Sequence, residues 1–344
     1  MSLSAVGSRV EADRLFTKGI EGGTIRLFCV YSEIPVDLLQ KLQESRKRFE
    51  NIQLELAELE KDFYRLTISQ DDKSETSLLD TMKQHIWEFF FVSNIGVSSS
   101  LAFRFFRQTY PHVTLIYLRS NYLLHLIDLL EQKYGTRPML TRIVAKQVFD
   151  ILKQDRIVRR KTLVLYQDDC EPTLRILQKE ITIWPTILQL AIRKDEMTLY
   201  EASFSRTGAC KLVRGSYSLF REDVYDFITT EALRQRNTFS DRAPSLSNPE
   251  IKLRPVTLTA PQEMDKETIK VLTNSLSEKY WCSIIHSGNP YLDMKIVDAH
   301  SGSSYHFIAS DTKATIIPIW YKTPISLLKL AADISDIIGS ETEG

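Results

Sequence analysis

The stretch 35–66 constrains this chain more than any other. Reading every third and fourth residue gives Leu38, Leu42, Ser45, Phe49, Ile52, Leu56, Leu59, Phe63 and Leu66, with mostly charged residues between them. This a/d heptad series has one polar interruption and predicts a long amphipathic helix over 35–62. Pro35 suits its first turn, where a missing N–H costs nothing. Leu42, Phe49, Ile52, Leu56 and Leu59 form the seam through which such a helix associates with itself or with a partner. The flanking charges reverse along it, from Lys41, Arg46 and Arg48 to Glu55, Glu60 and Asp62, which favours an antiparallel pairing. A competing pattern closes the stretch. Tyr64, Leu66 and Ile68 alternate with Arg65, Thr67 and Ser69, which is strand periodicity and trims the secure seam to Leu38–Leu59. The same letters also describe one long helix packed on its own domain's sheet.

Around this helix the pattern reads as a mixed, predominantly helical N-terminal region. Residues 24–31 form a strand after Gly22-Gly23. Helices are expected over 76–91, 98–108 and 121–134, the last stopped by Gly135 as a C-terminal cap. A strand is expected at 112–118. A second helix then runs over 139–154, followed by the basic run 156–161 and a strand at 162–166. Helix, turn, basic helix and strand is the order of a winged helix, so 120–167 is a winged-helix-like segment. Its nucleic-acid contacts would come from Arg142, Lys146, Lys153, Arg156, Arg159, Arg160 and Lys161. Residues 181–193 read as a buried helix beginning at Pro185. A hairpin spans 198–218 with its turn at Thr207-Gly208, and a helix covers 222–236.

Composition changes after Arg236. The segment 237–252 is rich in Ser, Pro and Asn and reads as a linker. It separates the region 1–236 from a small α+β domain, 253–344. That domain is expected to hold a short strand at 256–258, a helix at 263–280, four antiparallel strands between 281 and 320, and a helix at 324–338. The fold class is therefore α+β.

Chemistry is harder to find than architecture. Asp168 and Asp169 sit at a strand's end, where oxygen ligands for a divalent cation often lie; they serve equally as the charged cap of the next helix. Asp293, Asp298, His300, His306 and Asp311 gather along two neighbouring strands, as a metal site or an acid–base pair requires, or as a solvated hairpin face. No Walker loop, dinucleotide fingerprint, G-x-S-x-G elbow or H-E-x-x-H is present, which counts against the enzymes those motifs define. Basic and acidic residues balance at 44 each, so no global field draws the chain to nucleic acid or an anionic membrane. The four cysteines are widely spaced and suit reduced structural thiols. No leader or membrane-spanning segment is evident, and a cytoplasmic or nuclear protein without a cofactor is expected.

These features point first to a non-enzymatic scaffold assembling with itself or a protein partner through the heptad helix. Beside it stand a nucleic-acid-binding regulator acting through 120–167 and a metal-dependent hydrolase.

Overall fold

The structure, a computed structural model, describes residues 3–18, 23–39, 41, 52–94, 100–118, 120–147, 162–166, 172, 183–195, 197–240, 242, 254–288, 291–338 and 341–342. The chain divides into two compact units. The first comprises 1–118, 122–142 and 187–233, and the second 119–121, 143–186 and 234–344.

Antiparallel strands dominate where helices were expected. The strands are β1 (Gly23–Ser32), β2 (Gln53–Glu60), β3 (Phe63–Gln70), β4 (Lys73–Asp80), β5 (Ile86–Asn94), β6 (Val113–Leu115), β7 (Met139–Gln147), β8 (Thr162–Tyr166), β9 (Ile183–Lys194), β10 (Met197–Ser205) and β11 (Ala209–Gly215). They form an 11-stranded sheet in the order β2-β3-β4-β5-β1-β11-β10-β9-β7-β8, with β6 also pairing β1. The unit boundary falls within β7 and β9. β1 lies in the middle, its Leu27 opposite Phe90 of β5 and Cys210 of β11.

Both faces near β1 are buried, which explains the near-continuous apolar runs of β1 and β5. On one face Phe28, Phe89 and Phe91 pack against Phe105 and Phe106 of the helix Ser100–Thr109. On the other, Phe90 stacks on Phe16 of the helix Arg9–Lys18. That second face also meets the run formed by helix Tyr217–Phe220, the π-helical turn Arg221–Tyr225 and helix Asp226–Thr238. Tyr31 of β1 donates its hydroxyl to the Ala232 carbonyl of that run, at 3.0 Å.

The predominantly helical reading of the N-terminal region is thus corrected. The expected helix 35–62 cannot extend to its end, because Gln53–Glu60 is a strand with Leu56 opposite Leu66 of β3. Leu54 and Leu56 alternate with charged residues, and Asp62 turns the chain at a φ of 59°, a conformation that a short acidic side chain tolerates. The coiled-coil seam goes with it. Ile52 is buried in the core beside Val36 and Leu39, Leu56 and Leu59 lie on β2, and Leu42 and Phe49 fall outside the described residues. The expected helix 76–91 is instead parts of β4 and β5, reversed near His85 (φ 64°). The expected helix 181–193 is β9, with Pro185 inside it. The winged-helix segment fails because 139–147 is β7. Its adjacent Ile143, Val144 and Ala145 are all buried, as a strand covered on both faces allows.

The second unit holds a 6-stranded antiparallel sheet ordered β13-β14-β15-β16-β12-β17. Its strands are β12 (Val256–Thr259), β13 (Trp281–Ser287), β14 (Tyr291–Asp298), β15 (Ser303–Ser310), β16 (Lys313–Trp320) and β17 (Glu341–Thr342). Alternate residues Leu292, Met294, Ile296, Tyr305, Phe307, Ala309, Ala314 and Ile316 are all fully buried, the period-2 signature of a one-faced sheet. The helices Lys266–Ser277 and Pro324–Ile338 supply the other half of this core through Leu272, Leu276, Leu327, Leu330 and Ile334. Asp265 caps the first of them by accepting the Thr268 N–H at 2.8 Å, a cap of the usual kind.

Candidate functional site

β13 is an edge strand. It hydrogen-bonds to β14 on one side and, among the described residues, to no strand on the other. Edge strands expose a row of main-chain donors and acceptors, and proteins normally blunt them with lysine, proline or short length. β13 carries seven residues, WCSIIHS, with no lysine and no proline. Its large apolar side chains face solvent: Trp281 is 72% exposed, Ile284 50% and Ile285 55%. The register with β14 shifts between Ile284 and His286, so Ile285 is an extra residue that locally bends the strand. The opposite edge is treated differently. There β12 receives β17 from the chain's own C-terminal segment, with Leu258 opposite Thr342.

Next to this edge lies a polar patch on the sheet face opposite the one packed on the two helices. His306 Nε2 of β15 lies 2.6 Å from Asp293 Oδ1 of β14, and the Tyr291 hydroxyl donates to Asp293 Oδ2 at 3.3 Å. His286 of β13 is opposite Asp293 and its ring lies 5.4 Å from that of Tyr291. Of the five residues singled out in sequence, Asp293 and His306 meet side chain to side chain, whereas Asp298 meets His300 through the latter's main chain. Asp298 is buried and closes the β14–β15 turn, accepting the His300 N–H and the Ser301 hydroxyl. Asp311 occupies the β15–β16 turn at a φ of 49°. An imidazole oriented by a carboxylate can shuttle a proton, but no Ser, Thr or Cys side chain hydrogen-bonds to His306 among the described residues. Nor does any group of three His, Cys, Asp or Glu side chains among them have the placement to hold a metal ion.

Of the seven residues expected to grip nucleic acid, the structure describes Arg142 and Lys146. Arg142 and Lys146 lie on β7 rather than a helix. Lys153, Arg156, Arg159, Arg160 and Lys161 lie outside the described residues, as do Asp168 and Asp169.

The first unit has its own polar features, which sequence reasoning missed because their members are far apart in the chain. Asp223, on the π-helical turn, is buried and accepts the hydroxyls of Tyr134 (2.6 Å) and Tyr200 (2.9 Å) and the Lys133 ammonium (2.7 Å). Burial and the carboxylate push both phenols well above their usual range. Glu88 of β5 is buried between Lys83 (2.8 Å) and Arg221 (3.5 Å). Burial drives its carboxyl up while those two cations oppose the shift. A cleft of about 340 Å³ opens nearby over Phe16, Phe63 and Phe90. Its cations are already engaged, Arg9 with Glu60 and Asp80 and Arg221 with Asp13 and Glu88. These groups are engaged within the fold, whereas the second edge of β13 is left unpaired among the described residues.

No known protein family matches this chain, and no curated protein matches it either. No helix among the described residues is long and apolar enough to cross a membrane.

Proposed function

We propose that this protein is a non-enzymatic interaction module that captures an extended peptide segment of another protein along β13. The observation that carries the reading is the seven-residue edge with Trp281, Ile284 and Ile285 exposed. Main-chain pairing supplies affinity in strand addition, and the alternating side chains supply selectivity. Area decides between a peptide and a second copy of this chain. At ~200 Å² per large side chain, the three exposed fractions amount to roughly 300–400 Å² of apolar surface. A standard stable interface needs about 800 Å² per partner, so this edge alone suits a short strand rather than a lasting dimer. β13 carries no carboxylate or lysine, so the guest strand is uncharged where it pairs, with an apolar residue seated beside Trp281. Scaffolding in this reading rests on the sheet edge and no longer on a heptad helix.

Selection from a displayed peptide library against the full chain tests this, with Ile284→Lys as the counter-selected variant. Lysine is the residue that natural edges use to refuse partners, and half-exposed Ile284 accommodates it without disturbing the core. Uncharged peptides of alternating apolar character should bind the parent and lose at least tenfold in affinity for the variant. Peptides that bind both proteins equally, or a selection that yields no strand-forming sequences, would remove the proposal.

A further inference from the structure

We infer that the cleft of the first unit over Phe16, Phe63 and Phe90 binds a small organic amine, its ammonium held by Asp13 and Asp226 and its apolar body on the phenyl floor. The cleft is built within that unit, from the helix Arg9–Lys18, residues of β3, β4 and β5, and the run 217–226. Its volume of about 340 Å³ lies in the range of small-ligand sites, ~300–1,000 Å³. Ala12, Phe16, Phe63 and Phe90 are buried, so the floor is a packed apolar surface formed before any ligand arrives. Cations already use these rings. The Arg9 guanidinium lies 5.0 Å from the centre of Phe63 and that of Arg221 5.8 Å from the centre of Phe90, within reach of the ring quadrupole.

Charge decides the sign of the ligand. Two guanidiniums and four carboxylates line the cleft, an excess of two negative charges. Asp80 is taken by Arg9 at 2.8 Å and Glu222 by Lys133 at 2.6 Å. Asp13 and Asp226 are used less fully. Each is at least half exposed, and their ion-pair contacts, to Arg221 and to Lys83, are both 3.4 Å long. Full-strength bonds of this kind measure ~2.7–2.9 Å. Buried Glu88 competes for both of these cations, holding Lys83 at 2.8 Å and Arg221 at 3.5 Å. The two aspartates therefore keep acceptor capacity at the cleft, and an ammonium brings three donors to it. An anionic ligand would meet the excess carboxylates and find both guanidiniums engaged. The wall itself is unusual. A π-helical turn, Arg221–Tyr225, interrupts the helical run and sets Arg221, Glu222 and Asp226 along one side of the cleft, and such turns recur at functional sites.

Saturation-transfer NMR on the full chain at pH 7 tests the cleft with one ring system in three charge states: tryptamine, indole-3-acetate and 3-methylindole. Tryptamine should receive strong transfer and bind roughly tenfold or more tightly than either of the others, weakening as sodium chloride rises. The double variant Asp13→Asn/Asp226→Asn changes two half-exposed positions and should cut tryptamine affinity by roughly tenfold or more. Thr17→Trp, at an exposed helix position lining the cleft, should block binding by bulk while leaving every lining charge in place. The inference is overturned if tryptamine receives no transfer, if indole-3-acetate binds as well as tryptamine, or if either variant keeps the parent's affinity. Tighter binding of Nα-acetyl-lysine amide than of tryptamine overturns it too, since the cleft would then seat a lysine side chain of another protein.

Discussion

Replacing Asp223 by alanine should cost the first unit about 3–5 kcal/mol, roughly the loss of two tyrosine hydrogen bonds to a charged group at ~1.5–3 kcal/mol each. The geometry says where that loss arises. Tyr200 is fully buried and its hydroxyl reaches Asp223 at 2.9 Å, so alanine strands a hydroxyl at a cost of ~1–3 kcal/mol. Tyr134 is only partly buried, and water can replace part of its 2.6 Å bond. Lys133 is more exposed still and keeps Glu222 at 2.6 Å, so it adds little. The two units need not unfold together, which makes a single melting temperature a poor measure. Native-state hydrogen exchange, read separately in helix Ser120–Tyr134 and in β10, resolves the first unit by itself. A loss of 3–5 kcal/mol corresponds to roughly 150- to 5,000-fold faster exchange at the best-protected amides, at 1.36 kcal/mol per decade. Tyr200→Phe should cost about 1–2 kcal/mol in the parent and nothing, or a small gain, once Asp223 is alanine. A loss below ~1 kcal/mol for Asp223→Ala, or the same cost of Tyr200→Phe in both backgrounds, would refute the cluster's role.

Other substitutions and conditions test separate parts of the fold. Raised above the unfolded value of about 10, the Tyr134 and Tyr200 phenols add stability that is full below that pH and lost as pH climbs through their folded values; alkaline unfolding of the first unit should therefore be less steep in Asp223→Ala. Burial pushes the Asp333 carboxyl up, but Lys329 and Lys279 outweigh it and hold it below its ordinary range. Its contribution is present above pH ~4 and lost as pH falls through the lowered value, so Asp333→Asn should flatten the acid limb of the second unit's unfolding curve. Gly208→Ala should destabilise by more than 2 kcal/mol, whereas Gly135→Ala should cost only the ~1–2 kcal/mol of left-handed backbone. The contrast arises because a Cβ at Gly208 would meet Ile116 at 2.6 Å and the Cys29 carbonyl at 2.7 Å, while at Gly135 it meets nothing within 4 Å. Comparable losses in urea titrations of the two variants would contradict the crowding at Gly208.

The second unit's elements were legible because it is a one-faced sheet. Leu292, Met294 and Ile296 alternate with Asp293 and Lys295, and turn residues punctuate each strand. The first unit defeats the same method because β1, β5 and β7 are covered on both faces, which erases alternation. Leu79, Met82, Ile86, Phe89 and Phe90 satisfy a 3.6-residue period by accident, spanning two strands and the turn at His85. In β2 the residues QLELAELE are good helix formers, yet pairing with β3 overrides that preference. The Tyr64–Ile68 alternation did mark β3. The exposed edge was only half visible. WCSIIHS reads as a strand, but whether a strand is central or terminal is a property of topology, set here by β12 closing the other side through its pairing with β16.

The position of β1 bears on how the chain matures on the ribosome. Its pairing with β5 and the meander β2-β3-β4-β5 can be completed early, from neighbouring hairpins. Its other edge is closed near Tyr31 by β6, and the stretch Ile25–Phe28 waits for β11, with Ile25 meeting Leu212. Until that distant segment emerges, one of the most apolar strands in the protein stands with half of one side unzipped, and folding proceeds N-terminus first during synthesis. Nascent chains stalled before residue 209 should therefore recruit holdase chaperones, and chains released beyond residue 215 should shed them.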